Sequence, residues 1–401
     1  MTTGVTFGKS MLAEWSFDPG TTYLNHGTVG VTPRRILAVQ QSIRDEMERH
    51  PARFILRALS ETEFGRPLPE PPRLRAAADD VAAFLGARGA DLVFVDNITT
   101  GVNSILRSFP LREGDEILVS DLVYGGVLRA AWFAARERGA TVRTVEMPHP
   151  FRAEQLVEAY ASAVGPRTRL AIVEHVTAQT ALVFPLRETA ARLRAQGVAV
   201  LADAAHAPGQ IPVDIPSLGV DYYTANLHKW AWTPRSSGIL WAAPDRQADL
   251  RPAVISWGLD KGFKAEFDMI GTRDPSAHLS APAAIDLMRE WGIKAIQSYN
   301  HRLAWTGAHR LAEQWGTTFD VPESMTASMA AVPLPEAAGS TQPEAQALRD
   351  ALFFEDGIEV QVHAFRGRVW ARISAQIYND INDIDRLAEA VVKRVGAATA
   401  R

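Results

Sequence analysis

The 401-residue chain contains no cysteine. That absence excludes disulfides, thiolate metal sites and any mechanism built on a cysteine nucleophile. An excess of either charge is missing too: 42 Lys and Arg against 46 Asp and Glu leave a formal net charge of −4. A polyanion-binding surface needs a basic excess, so no nucleic-acid partner is expected. No apolar run approaches the ~20 residues that a membrane helix requires. The opening MTTGVTFGKSMLAEW has neither an apolar signal core nor a twin arginine. The expectation is a cytoplasmic protein with no membrane partner. Internal repeats are absent as well.

What is present is a hydrophobic fraction of 47%, ordinary for a globular protein. A single core rarely grows beyond ~250–300 residues, so a large and a smaller domain are expected. Between Asp91 and Val200, short apolar runs alternate with amphipathic stretches: LVFV (Leu92 to Val95), EILVS (Glu116 to Ser120), TVRTVEM, LAIVEHV (Leu170 to Val176) and VAVLAD (Val198 to Asp203). Continuous apolar strands separated by helices predict an α/β fold with a mostly parallel central sheet covered on both faces. Ligands of such sheets sit at the carboxyl ends of the strands. After about Phe267 the pattern changes. Long helical stretches (Ala283 to Trp291, Lys294 to Trp315) precede the strand-like SMAAVPL, IEVQVHAF and RVWARISA, then a helix that Asp383 or Asp385 would cap. This predicts a small α+β C-terminal domain. The expected division is an N-terminal segment 1–22, a large domain 23–267 and a small domain 268–401. Phe64 to Pro72 and Pro335 to Glu344 read as loops.

Five residue types placed at strand ends carry a chemical expectation. Asp203 closes VAVLAD and points out of the sheet's carboxyl edge, where a carboxylate either caps a turn or serves a ligand. Lys229 lies between the strand-like YYTAN and GILWAA, which places it at a sheet edge rather than on an exposed helix face. Thr99 and Thr100 open the helix after LVFV, where free N–H groups and hydroxyls suit a phosphate and also suit an ordinary helix cap. Tyr124 follows EILVS. Arg372, in RVWARISAQIYND, is a cation for a carboxylate or for a surface ion pair. A lysine, a carboxylate, a phosphate cradle, a stacking ring and a carboxylate-binding cation are the set that a pyridoxal 5′-phosphate (PLP) site requires. Trp230, Trp232, Trp241 and Trp257 are candidates to line a pocket, with core packing expected for at least two of them.

The stretch LADAAHAPGQIPVDIPSLGVDYYTANLHKWAWTPRSSG resembles the cofactor segment of class V aminotransferase-fold enzymes. YLNHGTVGVTPR, DLVFVDNITTGVNSILRS, EFDMIGTRDPSA and RISAQIYN are similar to the isopenicillin N epimerase-like branch, and the resemblance runs from about Tyr23 to the end. It implies the PLP-dependent transferase fold of type I. It also implies a Schiff base between Lys229 and PLP, with Lys229 carrying the substrate Cα proton. Asp203 would pair with the pyridinium nitrogen, and His206 would lie near the cofactor's 3-oxygen. Tyr124 takes the ring-stacking position, where many relatives carry His. Thr99, Thr100 and His228 would bind the phosphate. Thr272 would reach the phosphate of a neighbouring subunit in a homodimer, Arg372 would hold the α-carboxylate of an amino-acid substrate, and Asn25 would touch substrate. Departures from the family pattern are Ala178, Gln179, Leu122 and Val123.

The resemblance leads to an amino-acid epimerase or racemase acting at Cα. That reaction needs a second acid on the opposite side of the substrate, for which Tyr124 or a histidine is the candidate. C–S β-elimination from a sulfur-bearing amino acid and transamination are the alternatives within the fold. Cysteine desulfurase chemistry is disfavoured because it uses a protein cysteine. A non-catalytic regulator or scaffold of this fold is the alternative outside enzymology.

Overall fold

The structure, a computed structural model, describes residues 5–60 and 68–399. Of the loop expected at 64–72, residues 64–67 lie outside the described residues, and 68–72 carry no helix or strand. Two compact units form. The larger comprises Arg35–Val176 and Phe184–Leu287, and the smaller gathers Met1–Arg34, Thr177–Val183 and Met288–Arg401. This differs from the division expected at 22 and 267. The opening segment belongs with the C-terminal part because β1 (Thr22–Tyr23) lies parallel to Ile358–Glu359. Residues just beyond 267 stay with the larger unit because His278 stacks on Phe94 at 4.9 Å and Gln40 donates to Ser276 at 3.1 Å.

The larger unit is built on seven strands: β2 (Leu92–Val95), β3 (Glu116–Ser120), β4 (Thr141–Val145), β5 (Thr168–Glu174), β6 (Ala199–Asp203), β7 (Tyr222–Asn226) and β8 (Gly238–Ala242). Their order is β2-β8-β7-β6-β5-β3-β4. All run parallel except β8, which is antiparallel to both neighbours. The architecture is α/β, as the apolar runs predict. Every residue of β6 and β7 is buried, which explains why these strands read as unbroken hydrophobic runs rather than alternating ones. The helix Ile98–Ser108 packs closely on β7 through Gly101, where a Cβ would fall 2.1 Å from Thr224 Oγ1.

The smaller unit carries the antiparallel sheet β11-β12-β9, formed by β9 (Met329–Pro333), β11 (Gln361–Phe365) and β12 (Arg368–Ser374). IEVQVHAF is split: β10 (Ile358–Glu359) pairs with β1, and β11 starts after Val360. Val362, Val369, Ala371, Ile373, Ala330 and Val332 share one apolar core with residues of the helices Ile293–Trp315 and Ile381–Thr399. The last helix begins earlier than expected, so neither Asp383 nor Asp385 caps it. Asp383 sits inside the first turn, where it accepts from Asn379 Nδ2 at 3.0 Å and from the Asp380 amide at 3.2 Å. Asp385 pairs with Arg310. The loop expected at 335–344 holds the short turn Glu336–Ala338 and then a capping box, Thr341 with Glu344, that starts the helix Gln342–Asp356.

Candidate active site

The carboxyl ends of the parallel strands bring the sequence-predicted groups of the larger unit to one edge. Asp203 is the last residue of β6, in register with Glu174 on β5 and Thr224 on β7. It is buried and accepts the Ala205 amide at 3.1 Å. The turn after it carries His206, whose Nε2 lies 3.2 Å from Lys229 Nζ. Trp230 Nε1 donates to His206 Nδ1 at 3.5 Å, and Gln210 donates to the His206 carbonyl at 2.7 Å. This turn presses so closely on the next loop that a Cβ on Gly209, at φ +89°, would stand 2.2 Å from the Trp230 carbonyl. A glycine is therefore required there, and it keeps His206 against Lys229.

Burial pushes the Asp203 carboxyl up to about 6, opposed by the Ala205 amide and by the positive charge of Lys229. A buried carboxylate with one amide donor, facing an amine, is suited to a further cation such as a protonated pyridine. Sequence reasoning missed its neighbour Glu174, the last residue of β5. Ser120 Oγ donates to both Glu174 oxygens, at 3.0 and 3.1 Å. Burial first, and then the charge of Asp203, raise the Glu174 carboxyl to about 8, so it is the neutral member of the pair at neutral pH. Its folded value lies above its unfolded one. Its contribution to stability is therefore present at low pH and lost as pH rises through about 8. Glu174→Gln keeps an acceptor for Ser120 and removes the ionisation. In cofactor-free protein at pH 9 the variant is expected to melt about 2 °C or more above wild type. Parallel melting curves across pH 6–9 for the two proteins would contradict this account.

At the phosphate end, the helix Ile98–Ser108 begins as the sequence predicts, but its first amides are partly engaged. Ile98 N–H goes to Asn226 Oδ1 at 2.9 Å and Thr100 N–H to the capping Asn97 Oδ1 at 3.1 Å. Among the described residues, the donors left for an anion are the amide and hydroxyl of exposed Thr99, while the Thr100 hydroxyl turns to Asn97 Oδ1 at 3.5 Å and would have to swing to a phosphate. His228 Nδ1 lies 2.8 Å from the Ser237 carbonyl. Burial, together with the charges of Lys229 and Arg235, lowers the His228 ring to about 4 against the opposing pull of Ser237. The Ser237 amide also reaches Nδ1, at 3.3 Å, so the neutral ring with its proton on Nε2 can donate to a phosphate. Thr272 is exposed, in a loop that Arg273 ties to Asp96 at 2.9 Å. Tyr124 stands at the N-cap of the helix Gly125–Glu137, 49% exposed. Gly126 leaves room for its ring, since a Cβ there would be 2.7 Å from Tyr124 Cε1. Of the four tryptophans, Trp230, Trp232 and Trp241 are core residues and Trp257 is exposed.

In the smaller unit, an isolated bridge sets Asn25 beside Ser374. Arg372 is buried there, and burial lowers its guanidinium to about 10. Its Nη2 donates to Thr28 Oγ1 at 2.7 Å and to Asn25 Oδ1 at 3.3 Å, and its Nη1 donates to the Ala178 carbonyl. All three acceptors are neutral, and among the described residues Nε has no partner. A buried guanidinium held only by neutral acceptors is prepared for an anion. Thr28 was not singled out from the sequence, although it lies in the stretch YLNHGTVGVTPR.

A parallel α/β sheet with an aspartate, a histidine and a lysine converging at its carboxyl edge, and a buried arginine in a small second unit, defines the type I class of PLP enzymes. The aminotransferase class-V profile matches residues 72–387, and the chain belongs to that family, whose cofactor is PLP. A putative L-cysteine desulfhydrase 1 of Oryza sativa is 32% identical, with 94% of this chain and 84% of that protein aligned. The isopenicillin N epimerase of Amycolatopsis lactamdurans is 32% identical over 94% of this chain and 96% of that one. A solved C-DES variant with glycine covalently linked to its PLP has the same fold, with a TM-score of 0.78 and 22% identity over 95% of this chain and 98% of that one. Among the described residues, no helix is long and apolar enough to cross a membrane.

Proposed function

We propose that this PLP enzyme removes and returns the Cα proton of an α-amino acid, as an amino-acid epimerase or racemase of the isopenicillin N epimerase type. The observation that carries Cα chemistry is the 3.2 Å approach of Lys229 Nζ to His206 Nε2, one turn beyond buried Asp203. When bound, PLP supplies the electron sink that makes the Cα proton acidic. Lys229 would hold it covalently at rest, and once the substrate amine has taken over that bond the freed Nζ would carry the Cα proton. Asp203 would hold the pyridine nitrogen in its protonated form, and His206 would serve the 3-oxygen. Thr99, Thr100 and His228 hold the phosphate, with Thr272 of a second copy of this chain completing it in a homodimer. Arg372 and Asn25 bind the substrate carboxylate. The alignment along nearly the whole length of both chains supports the epimerase reading. The equal identity to a cysteine desulfhydrase favours C–S β-elimination as the second reading.

The two differ in the fate of the Cα proton. In D2O, epimerisation yields both enantiomers with deuterium at Cα, whereas elimination from cysteine yields pyruvate and sulfide. Pyruvate without deuterated enantiomer would replace the first reading with the second. Epimerisation also needs an acid on the face away from Lys229, and the half-exposed Tyr124 phenol is assigned that role. Tyr124→Phe is expected to leave Cα deuterium exchange within about threefold of wild type while inversion falls roughly 100-fold, as for loss of one general acid. An equal fall in exchange and inversion would remove Tyr124 from this role.

A further inference from the structure

The face of the β11-β12-β9 sheet opposite the apolar core has an unusual inventory. Strand alternation and register place Gln361, His363, Trp370, Arg372 and Ser374 on it. A polar row of this kind ordinarily faces water. Here His363, Arg372 and Ser374 are 1%, 4% and 0% exposed. Among the described residues, both ring nitrogens of His363, the Nε of Arg372 and the Oγ of Ser374 have no hydrogen-bond partner. Orphaned buried polar groups are costly and rare, and each calls for an explanation. Three side chains with orphaned atoms on one face of one sheet point to a missing ligand rather than to three separate defects.

The nature of that ligand follows from the donors. Ser374 Oγ and Arg372 Nη2 both approach Gly27, lying 2.9 and 3.5 Å from where a Cβ on it would stand, beside Met329 Sδ at 2.5 Å, so the two donors are close to one another. His363 is the diagonal neighbour of Arg372 across β11 and β12. Burial, and secondarily the Arg372 charge, lower the His363 ring to about 4, so it presents a neutral N–H rather than a second cation. A guanidinium N–H, a hydroxyl and an imidazole N–H are complementary to a carboxylate, which offers about four lone-pair sites to donors. A neutral ligand would leave the buried guanidinium charge uncompensated.

We propose that His363 and Ser374 are substrate-binding residues, which together with Arg372 form a three-donor cradle for the α-carboxylate. The cradle rests on the reading of the protein as an enzyme of α-amino acids and assigns two residues to that reading. Arg372 supplies the charge, while His363 and Ser374 fix the rotation of the carboxylate plane and so the orientation of the Cα–H bond.

The test compares L-alanine with ethylamine, the same molecule without its carboxylate, by titrating the visible absorbance of the PLP-loaded protein. Wild type is expected to bind alanine more tightly. His363→Phe and Ser374→Ala are expected to raise the alanine dissociation constant roughly tenfold or more, as for a hydrogen bond to a charged group, and to leave that of ethylamine unchanged. His363→Asn, which keeps an N–H, is expected to recover part of the loss. The melting temperature of His363→Phe should be no lower than that of wild type, since no existing bond is removed. Equal weakening of both ligands, or a destabilised His363→Phe with unchanged alanine binding, would overturn the cradle and leave His363 a packing residue. A wild-type protein that takes up no PLP absorbance would instead sink the amino-acid reading itself, and the cradle with it.

Discussion

Lys229→Ala is expected to lower turnover by roughly 10³-fold or more, because it removes both the covalent anchor and the proton carrier. The reasoning is local. Within the larger unit the Lys229 amine is placed against His206 by a turn that only a glycine at 209 permits, and it is the amine whose charge acts on Asp203. The spectroscopic counterpart is independent of any substrate. Wild type reconstituted with PLP should show a visible absorbance that borohydride abolishes while fixing the cofactor to the chain, and Lys229→Ala should bind PLP through Asp203 and the phosphate donors but retain none after reduction and unfolding. Cofactor fixed to the reduced variant would show that another amine holds it. The same measurement separates a catalyst from a scaffold of this fold, since a scaffold has no need of a reactive amine.

The central strands of the larger unit were legible because burial on both faces leaves no polar interruptions to confuse their period, whereas the edge strand β4 is mostly exposed. LVFV and EILVS correspond to β2 and β3 residue for residue. What escaped was non-local. β1 and β10 are two residues each, and a pairing separated by more than 300 residues has no periodicity to betray it. The C-terminal helix start was misplaced because three aspartates within six residues each offer a plausible cap. Only the backbone shows that Asp383 is already inside the helix.

The candidate site was legible to the degree that its residues end strands or sit in ordered motifs. Asp203 ends β6, and His206 and Lys229 sit in the ordered motif that follows it. Glu174 did not stand out, although its signal was present: a carboxylate inside the run LAIVEHV is a charge where both faces are buried, and such a charge must be neutral or paired. His363 was hidden by a different ambiguity. In IEVQVHAF the polar residues alternate with apolar ones, and alternation reads as a solvent-facing row. Nothing in the sequence reveals that this row is covered. The reaction itself is the least legible feature, because relatives named for different activities align along nearly the whole of this chain at equal identity, and fold does not fix chemistry.

Asp203→Asn is expected to separate function from stability in opposite directions. The amide keeps an oxygen for the Ala205 N–H, so the turn that carries His206 is retained. It cannot, however, hold a pyridine nitrogen in its protonated form. Loss of that electrostatic support should cut turnover by about 10²–10⁴-fold, with less effect on binding of the phosphate end. In cofactor-free protein the sign reverses. Burial holds the Asp203 carboxyl at about 6, above its unfolded value. Its stabilising contribution is therefore fully present below about 4 and lost as pH rises through about 6. Above that value the wild-type protein carries a buried charge that the asparagine variant lacks. Melting curves of cofactor-free protein at pH 5 and pH 7.5 should differ less for Asp203→Asn than for wild type, with the variant the more stable at pH 7.5. PLP should then stabilise wild type more than the variant, because only the wild-type carboxylate gains a cation when the cofactor binds. A variant that is less stable than wild type at pH 7.5 without cofactor would mean that Asp203 holds the turn together by its charge, and its assignment to the pyridine nitrogen would lose its physical basis.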